Sequence, residues 1–141
     1  MSVGMVLLPL FVQVGMTLVL GVWLAGLRTP ALRRGEVQPR DIALREPNWP
    51  RHITQVSNSF LNQFELPVLF YLLTVLELIT KQADLLFVAL SWVFVLSRLV
   101  HAFVHVTSND LRLRGGFFGV GALVLIVMWA VFIVRILVAA P

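Results

Sequence analysis

Long stretches without a charged side chain constrain this chain more than any other feature of its sequence. Such stretches cover residues 1–27, 66–76, 85–97 and 115–134. A helix that crosses the hydrocarbon core of a bilayer needs about 20 apolar residues. The two shorter stretches reach that length once a few ionisable residues at their ends are included. The sequence therefore predicts four membrane-spanning segments.

These segments are predicted to be helices, because backbone polar groups inside lipid must pair within a helix or a closed barrel. Barrel strands would alternate apolar and polar residues over about 10 positions, and residues 123–127 do not alternate. We predict an all-α integral membrane protein with a single domain over residues 1–141, a four-transmembrane-helix bundle that runs up-down-up-down. The predicted helices are at about 4–27, 55–80, 84–107 and 116–138, with a long loop at about 28–54.

The first segment is interpreted as a true span and not as a cleaved signal peptide. A signal peptide has a basic region before a short apolar core, whereas here the first Lys or Arg is Arg28. The chain also has no cysteine. Any thiol chemistry must therefore use a thiol that the ligand supplies.

Basic residues predict the orientation, since short cytoplasmic loops are enriched in Lys and Arg. The first loop has six arginines and the third has two, whereas the turn between helices 2 and 3 has only Lys81. We expect the first and third loops in the cytoplasm and both termini on the non-cytoplasmic side. The net charge of +4 fits topology signals and lipid headgroup contacts, and no recognised nucleic-acid-binding module accompanies it.

Polar residues inside the predicted spans form two faces at a similar depth. Asn58, Asn62 and Glu65 follow helical spacing on helix 2. A second face lies on helix 3, where Arg98, His101 and His105 have the same kind of spacing. We predict an ion pair between Glu65 and Arg98, with Asn62 and His101 completing the network.

Two interpretations of this network remain open. It could hold the helices together, as polar side chains do in membranes, or it could form a polar site open to the cytoplasm. A metal site is not expected, because His101 and His105 have no third ligand at a typical spacing.

Three further residues have local interpretations. Pro67 should kink helix 2. Glu77 and Lys81 should form a surface pair at the membrane edge. Arg135 should extend its side chain toward the outer interface.

Several motifs resemble those of the MAPEG family, the membrane-associated proteins in eicosanoid and glutathione metabolism. The run from Asn62 to Pro67 is similar to the family's N-x-x-E-x-P signature, and Arg98, His101 and His105 match its third-helix pattern. Residues 109–116 resemble the loop and arginine that open the family's fourth helix.

The resemblance implies a homotrimer that binds glutathione between subunits and presents it to a lipophilic small molecule from the bilayer. Arg114 would act on the thiol. The residues that would bind the cofactor are Asn62, Glu65, Arg98, His101, His105 and, by a looser match, Arg28. The compact length and the absence of eukaryotic targeting signals suit a bacterial inner membrane.

The chain departs from well-known glutathione-using members at a few positions. Asn58 to Leu61 replace arginines that precede the N-x-x-E signature, and His105 and Phe118 stand where an aromatic hydroxyl is found. Three functions therefore remain open: a glutathione transferase or peroxidase, a non-catalytic lipid- or amphiphile-binding protein, and a structural or accessory subunit of a membrane complex.

Overall fold

The computed structural model describes residues 1–139, and this part of the chain is helical without a strand. Five helices and one short 3₁₀ turn at Pro39–Asp41 follow in order. The helices are α1 Val3–Arg33, α2 Arg51–Asn62, α3 Leu66–Ile79, α4 Leu85–Val106 and α5 Leu111–Ala139. Because α2 and α3 form one broken span, four segments are long and apolar enough to cross a membrane. The chain is an integral membrane protein with a four-helix-bundle fold.

Helix α1 continues past its predicted end at 27 to Arg33, with Pro30 inside it. A Schellman motif ends it: the amide of Gly35 donates to the carbonyl of Leu32 at 3.2 Å, and the amide of Glu36 donates to that of Ala31 at 3.0 Å. Gly35 has a φ of 72°, which glycine adopts without the strain that a Cβ would cause. The helix therefore ends at this glycine, beyond the first arginines.

Helix α5 begins at Leu111, five residues before the predicted start at 116. Asp110 caps it, because its Oδ1 accepts hydrogen bonds from the amides of Arg112 and Leu113, each at 2.9 Å. The first turn of α5 therefore includes Arg112 and Arg114, which the sequence predicts in the third loop.

The second span is broken near Pro67. Residues 63, 64 and 65 donate their amides three residues back, to Phe60 at 3.0 Å, Leu61 at 3.0 Å and Asn62 at 3.3 Å. Pro67 has no amide hydrogen, so it cannot continue the helical pattern through this point. The predicted kink is confirmed in position, and it is sharp enough to separate α2 from α3.

Helix α4 lies at the centre of the bundle, where it packs against α1, α2 and α5. Its Phe94 stacks on Phe70 of α3, with ring centroids 4.8 Å apart. Gly121 brings α5 close to α4, since a Cβ there would lie 2.9 Å from Ser97 Oγ. Small residues permit such close approach between membrane helices, and large apolar residues cover the outer surface.

At the turn between α3 and α4, the predicted surface pair between Glu77 and Lys81 is wrong. Glu77 is only 1% exposed, so it is not a surface partner of the exposed Lys81. Arg135 of α5 instead reaches this turn, where its Nη2 donates to Asp84 Oδ2 at 2.6 Å. The side chain of Arg135 thus links the end of α5 to the start of α4.

Asp84 should make stability depend on pH. Its hydrogen bond with Arg135 lowers the pKa of this carboxyl below its ordinary value, so its contribution is present above the unfolded pKa of about 4 and is lost as the pH falls through the lower folded value. Asp84→Asn should lower stability by about 0.5–1 kcal/mol at pH 7, since the pair is partly exposed. Thermal unfolding in detergent at pH 7 and pH 3 measures this. A difference between the two proteins that is unchanged at pH 3 would contradict the expectation.

Candidate functional site

One cavity gathers four of the residues that the sequence singled out. It has a volume of about 250 Å³ and is lined by Asn62 from α2, His101 and His105 from α4, and Arg114 from α5. Leu111, Gly115 and Phe118 complete the lining. This cavity, called the histidine cavity below, lies at the end of the bundle that carries the loop at 34–50 and the α4–α5 turn. We call that end the arginine-rich end.

Arg98 lies behind the wall of the histidine cavity and does not line it. Its side chain is fully buried, and its Nη2 donates to Asn62 Oδ1 at 2.5 Å and, at 3.4 Å, to the Asn62 carbonyl oxygen. The break after Asn62 makes this carbonyl accessible to Arg98, since Glu65 is the only residue of the described chain whose backbone amide donates to it, at 3.3 Å. Arg98 therefore orients an amide that faces the cavity.

The predicted ion pair between Glu65 and Arg98 is wrong for the single chain. Within residues 1–139, no carboxylate lies within 4.0 Å of the Arg98 guanidinium, and Glu65 is exposed. The break between α2 and α3 ends the helical register that would have placed Glu65 beside Asn62. Two nitrogens of Arg98, Nε and Nη1, are buried and have no hydrogen-bond partner in the described chain.

The two histidines pack edge to face on one side of the cavity. Their ring centroids are 5.6 Å apart, and the ring of His101 lies 5.9 Å from that of Phe118. The Nδ1 atoms of both histidines are buried without a partner among residues 1–139. Among residues 1–139, no group of three or more His, Cys, Asp or Glu side chains could hold a metal ion.

Arg114 is held at the start of α5. Its Nη1 donates to Asn109 Oδ1 at 2.5 Å, and Asn109 adopts a left-handed backbone with a φ of 52°, which asparagine tolerates better than most residues. A hydrogen bond between α2 and α4 stabilises the same region: Gln55 Nε2 on α2 donates to the carbonyl of His105 on α4 at 2.8 Å. Sequence reasoning missed Asn109 and Gln55 as supporting residues, because their roles depend on contacts between helices.

The lining of the histidine cavity favours an anion. Arg114 contributes a guanidinium, Asn62 an amide and the histidines ring nitrogens, and no carboxylate is among the described lining residues. Guanidinium groups bind carboxylates through parallel hydrogen bonds. The cavity can therefore hold a carboxylate or a thiolate.

Arg28 does not belong to this cavity. Its Nη2 donates to Ser57 Oγ at 2.8 Å, and its guanidinium lies 4.8 Å from the centroid of the Trp49 ring. It lines a separate space between α1, α2 and the loop. In the single chain, the structure therefore separates Arg28 from the other predicted cofactor-binding residues.

Comparison with known proteins identifies one family. The model of the family described as MAPEG matches residues 6–134. Searches of curated proteins and of solved structures found no match.

Proposed function

The chain belongs to the MAPEG family, and from this membership and the chemistry of the histidine cavity we propose that it binds glutathione and activates its thiol toward lipophilic electrophiles. The observation that supports this most directly is the convergence of Asn62, His101, His105 and Arg114 on one cavity without a lining carboxylate. Glutathione has two carboxylates, one amine and one thiol, so an anion-favouring cavity suits most of its groups.

The size of the histidine cavity favours an oligomer. Sites for drug-sized ligands have volumes of about 300–1,000 Å³, and the cavity of one chain has about 250 Å³. Glu65 is exposed, so it is available to a neighbouring subunit. We propose that a homotrimer completes the site and that Glu65 contributes to it from the subunit boundary.

In the proposed reaction, the protein mainly positions glutathione and places a positive charge near its thiol. The chain has no cysteine, so the nucleophilic sulfur comes with glutathione. A guanidinium near the sulfur favours the thiolate, which is the reactive form. The thiol proton leaves to solvent, the thiolate forms a carbon–sulfur bond with the electrophile, and a leaving group departs with its electron pair.

The location of the site follows from the same proposal. The arginine-rich end would face the cytoplasm, by the distribution of basic residues, and both termini would lie on the other side. A lipophilic electrophile would arrive from the bilayer, and the bacterial inner membrane is the proposed location.

Calorimetric titration of the detergent-solubilised protein with glutathione tests the proposal. We expect saturable binding in the millimolar range or tighter. Asn62→Leu should weaken the affinity at least about tenfold, or about 1.4 kcal/mol, because it removes the amide that faces the cavity. Asn58→Leu is the matched control, since Asn58 lies one turn earlier on α2 and does not line the histidine cavity.

Absence of binding up to several millimolar would overturn the proposal. An affinity in Asn62→Leu that equals the affinity in Asn58→Leu would show that Asn62 does not bind glutathione. In either case the family fold would serve another ligand, and lipids that co-purify with the protein would be identified next.

A further inference from the structure

The largest of the described cavities lies away from the histidine cavity. It has a volume of about 540 Å³ and is enclosed by α1, α2 and the loop between them. We call it the loop cavity. Its lining includes the cations Arg28 and Arg45 and the apolar side chains of Leu24, Phe60 and Leu61. A lining that combines both kinds of residue suits neither a purely polar nor a purely apolar ligand.

The polar and apolar parts of the loop cavity lie at different depths. Helix α1 runs toward the arginine-rich end, so Leu24 lies one turn deeper in the bundle than Arg28, about 6 Å by the rise of a helix. Helix α2 runs away from that end, so Phe60 and Leu61 lie deeper than Thr54 and Ser57. The cavity is therefore basic near the membrane surface and apolar below it.

The guanidinium of Arg28 has hydrogen-bond donors that are available to bind an anion. Its only hydrogen bond in the described chain is to Ser57 Oγ, and its Nε is buried without a partner. A guanidinium has five N–H donors, and within residues 1–139 no carboxylate lies within 4.0 Å of this one. The Trp49 ring covers one face of the guanidinium, which leaves the edge with the donors for a ligand.

The loop supplies a second cation, Arg45, on a backbone with a defined turn. Arg45 adopts a φ of 66°, a backbone conformation uncommon for residues other than glycine, and its amide donates to the carbonyl of Ile42 at 3.2 Å. The neighbouring Glu46 is engaged locally, because its Oε2 accepts a hydrogen bond from the amide of Leu44 at 2.8 Å. The cavity lining thus has two arginines and one glutamate, a net charge of +1.

We propose that the loop cavity binds an anionic amphiphile. Its phosphate or carboxylate head group would contact Arg28 and Arg45, and its acyl chain would lie against Leu24, Phe60 and Leu61. Cationic groups at the membrane surface attract anionic lipid head groups, and the volume of about 540 Å³ suits a head group with the first part of a chain. Arg28 would then serve a lipid and not the thiol cofactor, so the proposal is independent of glutathione binding.

Thermal unfolding with added lipid tests the proposal on the full chain in a neutral detergent. Dioleoyl phosphatidylglycerol should raise the unfolding midpoint by about 2–8 °C, more than dioleoyl phosphatidylcholine at the same concentration. Arg28→Gln and Arg45→Gln should each abolish that difference. Arg45 has an exposed side chain, so Arg45→Gln should fold normally even if Arg28→Gln is impaired.

Arg33→Gln is the control, because Arg33 is an exposed arginine at the same end of α1 and does not line the loop cavity. It removes the same charge and should keep the full lipid effect. Equal losses in all three variants would indicate general charge attraction and would overturn the proposal. Equal shifts by the two lipids would overturn it as well.

Two further measurements distinguish among the possible ligands of the loop cavity. If inorganic phosphate produces the full shift, the cavity is an anion site without a role for the acyl chain, and the proposal is wrong. If Arg28→Gln loses glutathione binding but keeps the phosphatidylglycerol shift, Arg28 belongs to the cofactor site. Failure of the unmodified protein to bind glutathione leaves the comparisons between lipids, and between lipid and phosphate, unaffected.

Discussion

Arg114→Gln should lower the rate of glutathione conjugation about 100-fold while changing the affinity for glutathione much less. Arg114 lines the histidine cavity, and its bond to Asn109 holds the guanidinium in position before the ligand arrives. Removing one such preorganised donor from a site that stabilises developing or resident negative charge costs about 10²–10³ in rate. Most of the loss should fall on kcat, because the thiolate gains more from the cation than the thiol does.

Steady-state kinetics with 1-chloro-2,4-dinitrobenzene as the electrophile measure this effect. The dependence of rate on pH supplies a second readout. In Arg114→Gln the apparent pKa of bound glutathione should rise toward about 8.5, the pKa of a free cysteine thiol, so the variant should recover part of its rate at high pH. A structural defect alone would not move the pH profile.

Arg112→Gln is the matched control for this experiment. Arg112 is two residues earlier in the first turn of α5, is exposed and does not line the cavity. It should keep nearly the full rate. Equal losses in the two variants, or an unchanged rate in Arg114→Gln, would remove Arg114 from the catalytic role.

Arg98→Ala should destabilise the fold by about 3 kcal/mol. The side chain is fully buried, and truncation of a large buried side chain costs about 2–5 kcal/mol. The change also removes the donor to Asn62 Oδ1. Chemical or thermal unfolding in detergent measures the loss, and Val100→Ala, at a more exposed position on the same helix, should cost much less.

Arg98→Met separates packing from orientation. Methionine fills most of the space, so stability should recover in part, but it has no donor for Asn62. Glutathione affinity should therefore stay at least about tenfold weaker than in the unmodified protein. Full affinity in Arg98→Met would show that Arg98 does not position Asn62. Equal instability of the methionine and alanine variants would show that the hydrogen bond matters more than volume.

The ends of the helices were predicted less well than their number, although local signals for them exist. Gly35 and Asp110 are typical helix-ending and helix-starting residues. The predicted boundaries at 27 and 116 instead follow the charged residues Arg28 and Arg114. Arginines can extend a membrane helix into the interface, so charge marks the edge of the hydrocarbon and not the end of the helix.

The grouping of the polar residues around one cavity was predicted in part. Helical spacing placed His101 and His105 on one face of α4, and the structure brings both to the same cavity as Asn62 and Arg114. The pairing of Glu65 with Arg98 failed because it assumed a continuous helix through residues 62–65. The predicted surface pair of Glu77 and Lys81 was wrong because Glu77 is buried. Spacing along a helix does not tell which face is covered by another helix.

The sequence by itself determined the class of the protein: four spans, all helical, in a membrane, with the polar residues grouped on α2 and α4 and the motifs of its family. These properties follow from hydrophobic run length and local spacing, which need no knowledge of neighbours. Only the tertiary structure decided that Arg98 bonds to Asn62, that Arg28 lies beside Trp49 in a separate cavity, and that Glu77 is buried. Those contacts depend on how each helix is rotated and where the second span breaks. Both are set by the packing of many side chains at once, here including Gly121 against Ser97 and Pro67 at the break.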